Sequence, residues 1–237
     1  MKSSTRVIVC AAVFAAVAAI AQPAGLTDGD RTEIQALMGQ YARALSGCHA
    51  MEFADLFVPE TGYFDSGFRG HMVGHKRLVE LVESEPHCVA PKGDAAAGRP
   101  GGANGPNVVI EETADGVRGI ADLGTAEYQD EYVKTAQGWR FASRAVIIAA
   151  EKAAGLDARG LLAIQRLGGA KLGDYYEPDK NGVPRLMTSG VRISAMGGKV
   201  TGRAFLKDGG YDDQVYEKLG SGDWQIQSST HVPAHTH

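Results

Sequence analysis

A strand-like run from Ala126 to Lys134 carries Tyr128, Asp130 and Tyr132 at a spacing of two, which puts the three side chains on one face of an extended chain. If that face looks into an apolar interior, a carboxylate sits between two phenols, a set suited to holding and moving a proton. If it looks outward, Asp130 is solvated and the tyrosines only pack, and the spacing leaves both readings open. Tyr41 shares a helical stripe with Leu37, Met38 and Leu45 and points inward. A buried phenol needs a partner, either a substrate oxygen or a backbone carbonyl. Arg69 and Arg144 are candidates to meet a substrate oxyanion, and Phe53, Phe57 and Trp139 to supply apolar wall. Of the seven histidines, His71 and His75 flank a strand and a helix, and His87 precedes a glycine-rich stretch. His231 ends the last strand candidate and would close a pocket if the C-terminal strands folded over it, while His235 and His237 fall in a tail.

These residues need elements to position them. Asp30 with Glu33 three residues later reads as a capping box, followed by Ile34, Leu37, Met38, Tyr41 and Leu45 at helical spacing. Ser46-Gly47 breaks that helix, a short second one runs from Met51 to Phe57, and Pro59 closes it. Tyr63-Phe64 and Phe68 to Val73 read as a hairpin with Ser66-Gly67 at its turn, and Leu78, Leu81 and Val82 mark a third helix. From Glu85 to Pro106 the chain turns to Gly, Ala and Pro without periodicity, the signature of a long loop used as a lid, a binding loop or a spacer. Val108 to Glu112, Val117 to Leu123, Ala126 to Lys134 and Trp139 to Ile148 then alternate with short turns as an antiparallel meander.

Asp157 caps a further helix, a Gly/Pro-punctuated stretch runs to Pro184, and Gly190 to Val232 reads as a second meander. A partial repeat links the two meanders, Gly119, Ala121, Leu123, Tyr128 and Asp130 recurring as Gly202, Ala204, Leu206, Tyr211 and Asp213. Convergence of two hairpins on the same turn chemistry would give the same pattern.

Lys2 and Arg6 precede an apolar run of fourteen residues, Val7 to Ile20, and Ala19-Ile20-Ala21 offers small residues for cleavage. Residues 1–21 therefore read as a signal peptide, and the run is short of the roughly 20 residues that span a bilayer. The expectation is an exported protein, periplasmic or secreted, without stable membrane insertion. Beyond Cys10 two cysteines remain, Cys48 and Cys88, which read as one disulfide or as two buried thiols. With 24 basic and 28 acidic residues, a net charge of -4, the chain lacks the electrostatic footprint of a nucleic-acid binder. It has no helical His-x-x-x-His, no Cys-x-x-Cys, no phosphate loop and no nucleophile elbow, so neither a metal nor an organic cofactor is expected.

The ordered set Asp30-Arg31-Thr32-Glu33-Ile34, Tyr41-Ala42-Arg43-Ala44-Leu45, Phe53-Ala54-Asp55-Leu56-Phe57, Val73-Gly74-His75, Asn107-Val108-Val109-Ile110-Glu111, and Asp130 to Lys134 with Gly138-Trp139-Arg140-Phe141 and Arg144 resembles the SnoaL-like branch of the nuclear transport factor 2 superfamily. The resemblance runs from about residue 28 to 148. It implies an α+β cone in which three helices close a curved antiparallel sheet around an apolar pocket, here with an added C-terminal helix and β-meander. The implied organisation is a SnoaL-like domain over 22–148 and a C-terminal extension over 149–237 packed on the same domain.

The resemblance also implies lyase or isomerase chemistry by His, Asp and Tyr without a cofactor, and an assembly into homodimers or homotrimers. Relatives often carry a pocket histidine shortly before the strand matching Val108 to Glu112, which makes His87 the preferred base, with Asp130 the other candidate. Tyr128 falls where a scytalone-dehydratase-like alignment places a polar pocket residue. Many relatives have an Asp just after the first helix where this chain has Ser46, so an Asp-oriented histidine of that kind is missing. The expectation is a lyase eliminating water or formaldehyde from a small hydroxylated aromatic compound, with catalytic His87, Asp130, Tyr41 and Tyr128. Phe53, Phe57, Arg69, Tyr132, Trp139, Arg144 and His231 would bind that substrate. The alternatives are an isomerase or cyclase with the same proton chemistry, or a ligand-binding module without catalysis.

Overall fold

The computed structural model describes residues 25–89 and 106–234. Residues 1–24, which include the segment expected to be a signal peptide, most of the glycine-rich stretch, and His235 and His237 lie outside the described residues. Helix α1 (Asp28–Ser46) starts one turn before the expected cap: the Thr27 hydroxyl accepts from the Asp30 amide, and the Asp30 carboxylate accepts in return from the Thr27 amide. Both residue types cap well, and Asp30 serves at the third helical position instead. Its inward stripe is Ile34, Leu37, Met38, Tyr41 and Ala44. Helix α2 (Ala50–Asp55), strands β1 (Tyr63–Ser66) and β2 (Gly70–Val73), and helix α3 (Gly74–Glu83) follow. The connection between β1 and β2 is longer than the expected two-residue turn, so Asp65 lies opposite His71. A short helix α4 (Pro86–Val89) occupies the start of the stretch expected to be all loop.

The four expected strands form as β3 (Val109–Thr113), β4 (Gly116–Asp122), β5 (Ala126–Thr135) and β6 (Gly138–Ile148). After them come α5 (Ala149–Ala153) and α6 (Ala158–Gly168), the latter capped by the Asp157 carboxylate on the Gly160 amide. The hairpin β7 (Asp174–Pro178) and β8 (Pro184–Ser189) arises from the stretch where no strand was expected. Its glycines and prolines sit in the turns and at strand ends, which hides the alternation of Leu186 and Thr188. Strands β9 (Val191–Met196), β10 (Lys199–Phe205), β11 (Tyr211–Lys218) and β12 (Trp224–Val232) complete the chain.

One eight-stranded sheet has the order β3-β4-β5-β6-β1-β2-β8-β7, and a second has β12-β11-β10-β9. Pairing is antiparallel except where β1 meets β6 and β2 meets β8. The C-terminal hairpin thus continues the cone sheet, joining it at Gly70 opposite Ser189. Gly70 has φ +68 there, and a Cβ would collide with the Ser189 carbonyl, so only glycine admits this junction.

Helices α1 to α3 pack Ile34, Met38, Phe53 and Leu78 against the concave face of the large sheet, where Phe57 and the β6 residue Phe141 join the same core. The second sheet and α6 cover its convex face, packing Leu161, Ile164, Val191 and Trp224 against the β6 residue Ile147. Strand β6 is consequently buried on both sides. A bulge where Tyr132 meets Phe141 lets both aromatic side chains join the concave core beside the Asp130–Arg144 pair.

The repeat is present in space, displaced by one residue from the sequence match. Gly119 faces Asp130 in the first copy, whereas Gly202 faces Gln214, not Asp213, in the second. In both, a tyrosine two residues on packs over the glycine and donates to the facing side chain, Tyr132 to Asp130 and Tyr216 to Gln214. Both copies carry a bulge at that tyrosine. A longer β10–β11 turn absorbs the extra residue and sends Asp213 outward to pair with Arg203.

Cys48 and Cys88 form a disulfide that ties α4 to the end of α1 across a sequence separation of 40. Cross-linking a loop of that size restricts the unfolded chain by an amount worth about 4 kcal/mol in the chain-entropy treatment. The double variant Cys48→Ser/Cys88→Ser is expected to lose stability of that order in urea unfolding, with the wild type showing the same loss under reducing conditions.

Candidate functional site

The concave interior gathers seven of the residues singled out from the sequence. Tyr128, Asp130 and Tyr132 face into the cone, and register places Asp130 directly opposite Arg144 on β6. Arg144 is fully buried and Asp130 almost so. The guanidinium donates from Nε to Oδ1 at 2.8 Å and from Nη2 to Oδ2 at 2.7 Å, and the Tyr132 hydroxyl donates to Oδ2 at 2.7 Å. The carboxylate is therefore not a free base between two phenols: one cation and one phenol hold it. Arg144 also lies against three rings, 4.0 Å from the centre of Tyr41 and 4.2 Å from those of Tyr128 and Phe141. Phe53 and Phe57 extend this wall, Tyr41 and Phe53 being 5.0 Å apart and Phe57 and Phe141 5.1 Å.

Burial opposes the charge on Arg144, but the Asp130 carboxylate and its hydrogen bonds outweigh that and hold the guanidinium protonated. Burial pushes the Tyr41 and Tyr132 phenols well above their ordinary values, so both stay as donors. One group is left over: among the described residues Arg144 Nη1 is buried without a hydrogen-bond partner. An unmatched cationic N–H among buried rings is costly to keep, which sets this atom apart from the rest of the core.

His87 lies on α4, half-buried, with Nε2 3.0 Å from the Leu45 carbonyl oxygen. A carbonyl only accepts, so Nε2 carries the hydrogen, which in the neutral ring leaves the lone pair on Nδ1. Leu45 is one helical turn beyond Tyr41 and, with Cys88, Val108 and Tyr128, is only partly buried against the core. His87 is thus held at the C-terminal end of α1, next to the disulfide at Cys88. Cys48, His87 and Cys88 cluster within 4.8 Å, but both sulfurs are committed to the bridge.

Three expected pocket residues have other posts. The Trp139 indole donates to Asp30 Oδ1 at 2.8 Å, beside Lys134 at 2.6 Å, and clamps the start of α1 to the sheet. Lys134, with Thr27 and Trp139, holds the Asp30 carboxyl well below the usual range. Arg69 is buried against β8, with Glu85 at 2.9 Å and the carbonyls of Leu186 and Met187 within reach. His231 pairs with Asp212 on the exposed part of the second sheet, not over the cone.

The sequence reading passed over Met38 and Phe141, which complete the cage, and the pair Asp65–His71. That pair lies on the convex face, Asp65 fully buried with His71 Nδ1 3.2 Å from Oδ2 and with Oδ1 unpartnered. The signal was the length of the β1–β2 connection: a two-residue turn would not set these residues opposite each other. Burial raises Asp65 to about 6 despite the histidine.

Residues 29–145 match the family model described as a SnoaL-like domain, which ends within β6. Similar solved structures include an NTF2-like protein with a cystatin-like fold from Novosphingobium aromaticivorans, 20% identical, spanning 56% of this chain and 89% of that one at a TM-score of 0.40. ActVI-ORFA from Streptomyces coelicolor is 17% identical over 52% of this chain and 97% of its own, at a TM-score of 0.39. A domain of unknown function with a cystatin-like fold from Nostoc punctiforme is 15% identical over 60% and 96%, at 0.40. No curated protein matches the sequence.

Removing one partner of the central ion pair strands the other in a dry interior, at a cost of about 3–5 kcal/mol. Arg144→Ala and Asp130→Asn are each expected to lose that much stability in urea unfolding, and the double variant less than the sum. Asp65 gives a pH signature of opposite sign to an ordinary paired carboxylate. Its folded value near 6 exceeds the unfolded 3.8, so its ionisation destabilises the native state by about 3 kcal/mol as pH rises from 4 to above 6. Asp65→Asn is expected to be the more stable protein at pH 8, with the difference vanishing near pH 4 in parallel denaturation series.

Proposed function

Residues 29–145 being a SnoaL-like domain of the NTF2-like superfamily, we propose that the cone binds a small hydroxylated aromatic compound and eliminates water or formaldehyde from it. The observation carrying this reading is the unpartnered Nη1 of a buried Arg144 walled by Tyr41, Tyr128 and Phe141. A substrate oxygen on Nη1 would share the donors with the Tyr41 phenol, whose raised value keeps its proton in place. Negative charge developing on that oxygen is then stabilised by a fixed cation in low dielectric. Asp130 and Tyr132 act as positioning residues that orient Arg144.

His87 takes the proton, through the lone pair of Nδ1. In dehydration it removes hydrogen from the carbon next to the stabilised oxyanion; that electron pair forms the double bond as the carbon–oxygen bond breaks, and the leaving hydroxyl departs as water with the proton that His87 Nδ1 hands back. In formaldehyde release it removes the hydrogen of a hydroxymethyl oxygen; the oxygen pair forms the carbonyl of formaldehyde, the carbon–carbon bond breaks, and its electron pair forms a double bond to the ring-bearing carbon, expelling the hydroxyl there as water with the proton that His87 hands back. A second reading is capture without turnover, favoured by the engagement of Asp130 with Arg144 and of His87 Nε2 with Leu45. An isomerase or cyclase would use the same groups.

Export to an oxidising compartment is part of the proposal, supported by the basic, apolar start of the sequence and by the Cys48–Cys88 bridge. Assembly into a homodimer or homotrimer is supported by the exposed Val109, Ile120 and Val133 on the convex side of β3 to β5. The deciding measurement is turnover of a panel of hydroxylated aromatic compounds, followed by absorbance and by mass for loss of water or formaldehyde. His87→Gln is expected to lower kcat by about 100-fold with little change in KM, and Tyr41→Phe to impair both. Saturable binding without turnover would establish the capture reading instead.

A further inference from the structure

The convex face of the cone sheet, away from the cage, opens into a groove of about 1030 Å³ between β1–β2, α6, the β7–β8 hairpin and the loop after β10. Tyr63 and His71 form its floor, their rings 4.7 Å apart. Its opposite wall comes from Arg166, Leu172, Tyr176 and Lys207, all beyond the segment matched to the SnoaL-like domain. The site is therefore a composite that the domain alone does not contain.

Three features define what the groove accepts. The first is the state of His71: Asp65 has only acceptor oxygens when ionised, so His71 Nδ1 donates to it and Nε2 offers a lone pair on the groove side. Asp65 is fully buried with Oδ1 unpartnered, which makes it a positioning residue for this ring. The second is charge: Arg166 and Lys207 line the groove without an ion pair or side-chain hydrogen bond among the described residues. The charge of Arg166 is felt at the Tyr63 phenol. Arg77 is already matched by Glu80 and Asp174, and Glu60 is the remaining acid of the lining. The third is an apolar and aromatic middle supplied by Leu172, Tyr63 and Tyr176.

We propose that this groove binds a small hydroxylated carboxylic acid with an apolar body, its carboxylate held by Arg166 and Lys207 and its hydroxyl donating to His71 Nε2. A ligand lacking the hydroxyl leaves the histidine lone pair unmatched, and one lacking the carboxylate leaves two cations unmatched. The inference stands apart from the reading of the cone, since no residue of the cage lines the groove.

Calorimetric titration of the purified chain at pH 7.5 with 4-hydroxycinnamate, cinnamate, 4-ethylphenol and inorganic phosphate tests it. One saturable site for 4-hydroxycinnamate is expected, with each analogue lacking one group bound about tenfold more weakly and phosphate weaker still. Arg166→Ala and Lys207→Ala should each weaken binding about fivefold, and His71→Gln should abolish the preference for the hydroxyl, while Lys199→Ala changes nothing. Nitrogen NMR of the His71 ring gives a readout independent of variant folding: Nε2, not Nδ1, should shift on titration. No saturable binding at millimolar ligand, or a phosphate affinity equal to that of the acid, would overturn the proposal. So would binding that survives the Arg166 and His71 changes but is lost in Tyr41→Phe, which would place the ligand in the cone.

Discussion

The bidentate ion pair between Asp130 and Arg144 is the constraint around which the cone is built. Two charges in a dry interior cost several kcal/mol each to desolvate unless their geometry is good and their remaining atoms are matched. Here adjacent strands place them directly opposite, Tyr132 matches one carboxylate oxygen, and three rings take the face of the guanidinium. The one position left unmatched, Nη1, is what gives a packed core a chemical preference. Because the pair holds its own members so firmly, Asp130 is engaged as a structural anion and not as a free base.

A second dependence runs through β6. Its concave side carries Phe141 and Arg144, while its convex side carries Ala145 and Ile147 against α6 and the second sheet. Such burial on both faces explains the continuous apolar character of Ala145 to Ile147. It also explains why the C-terminal segment is part of the architecture: without it Ile147 and the buried Asp65 would face water. The junction is made by Gly70, where β8 comes too close for any side chain.

The two meanders show how one device yields different properties. Each has a glycine beneath a tyrosine, a facing side chain that accepts from that tyrosine, and a bulge at the same place. In the first, the acceptor is Asp130 and its cross-strand neighbour Arg144; in the second they are Gln214 and Ser229, a neutral pair. The charged version faces three helices and a cage of rings, whereas Tyr216 and Gln214 back onto a smaller core and Ser229 is exposed.

Periodicity and turn chemistry in the sequence determined the elements from α1 to β6 apart from α4, the inward direction of Tyr41, the shared face of Tyr128, Asp130 and Tyr132, and the family resemblance, because these depend on local spacing of two or of three to four residues, whereas the direction of that shared face was decided by the packing of the sheet. They also made Cys48 and Cys88 a candidate pair. Only the tertiary structure decided that the cysteines meet, that Asp130 is spent on Arg144, that Trp139 clamps α1, and that Arg69 and His231 lie away from the cone. It alone revealed the β7–β8 hairpin and the Asp65–His71 pair. The physical reason is common to all of these: each depends on strand register or on contact between segments far apart in the chain. A one-residue change in a turn moves a side chain to the other face of a sheet, as the displaced repeat at Asp213 and Gln214 demonstrates.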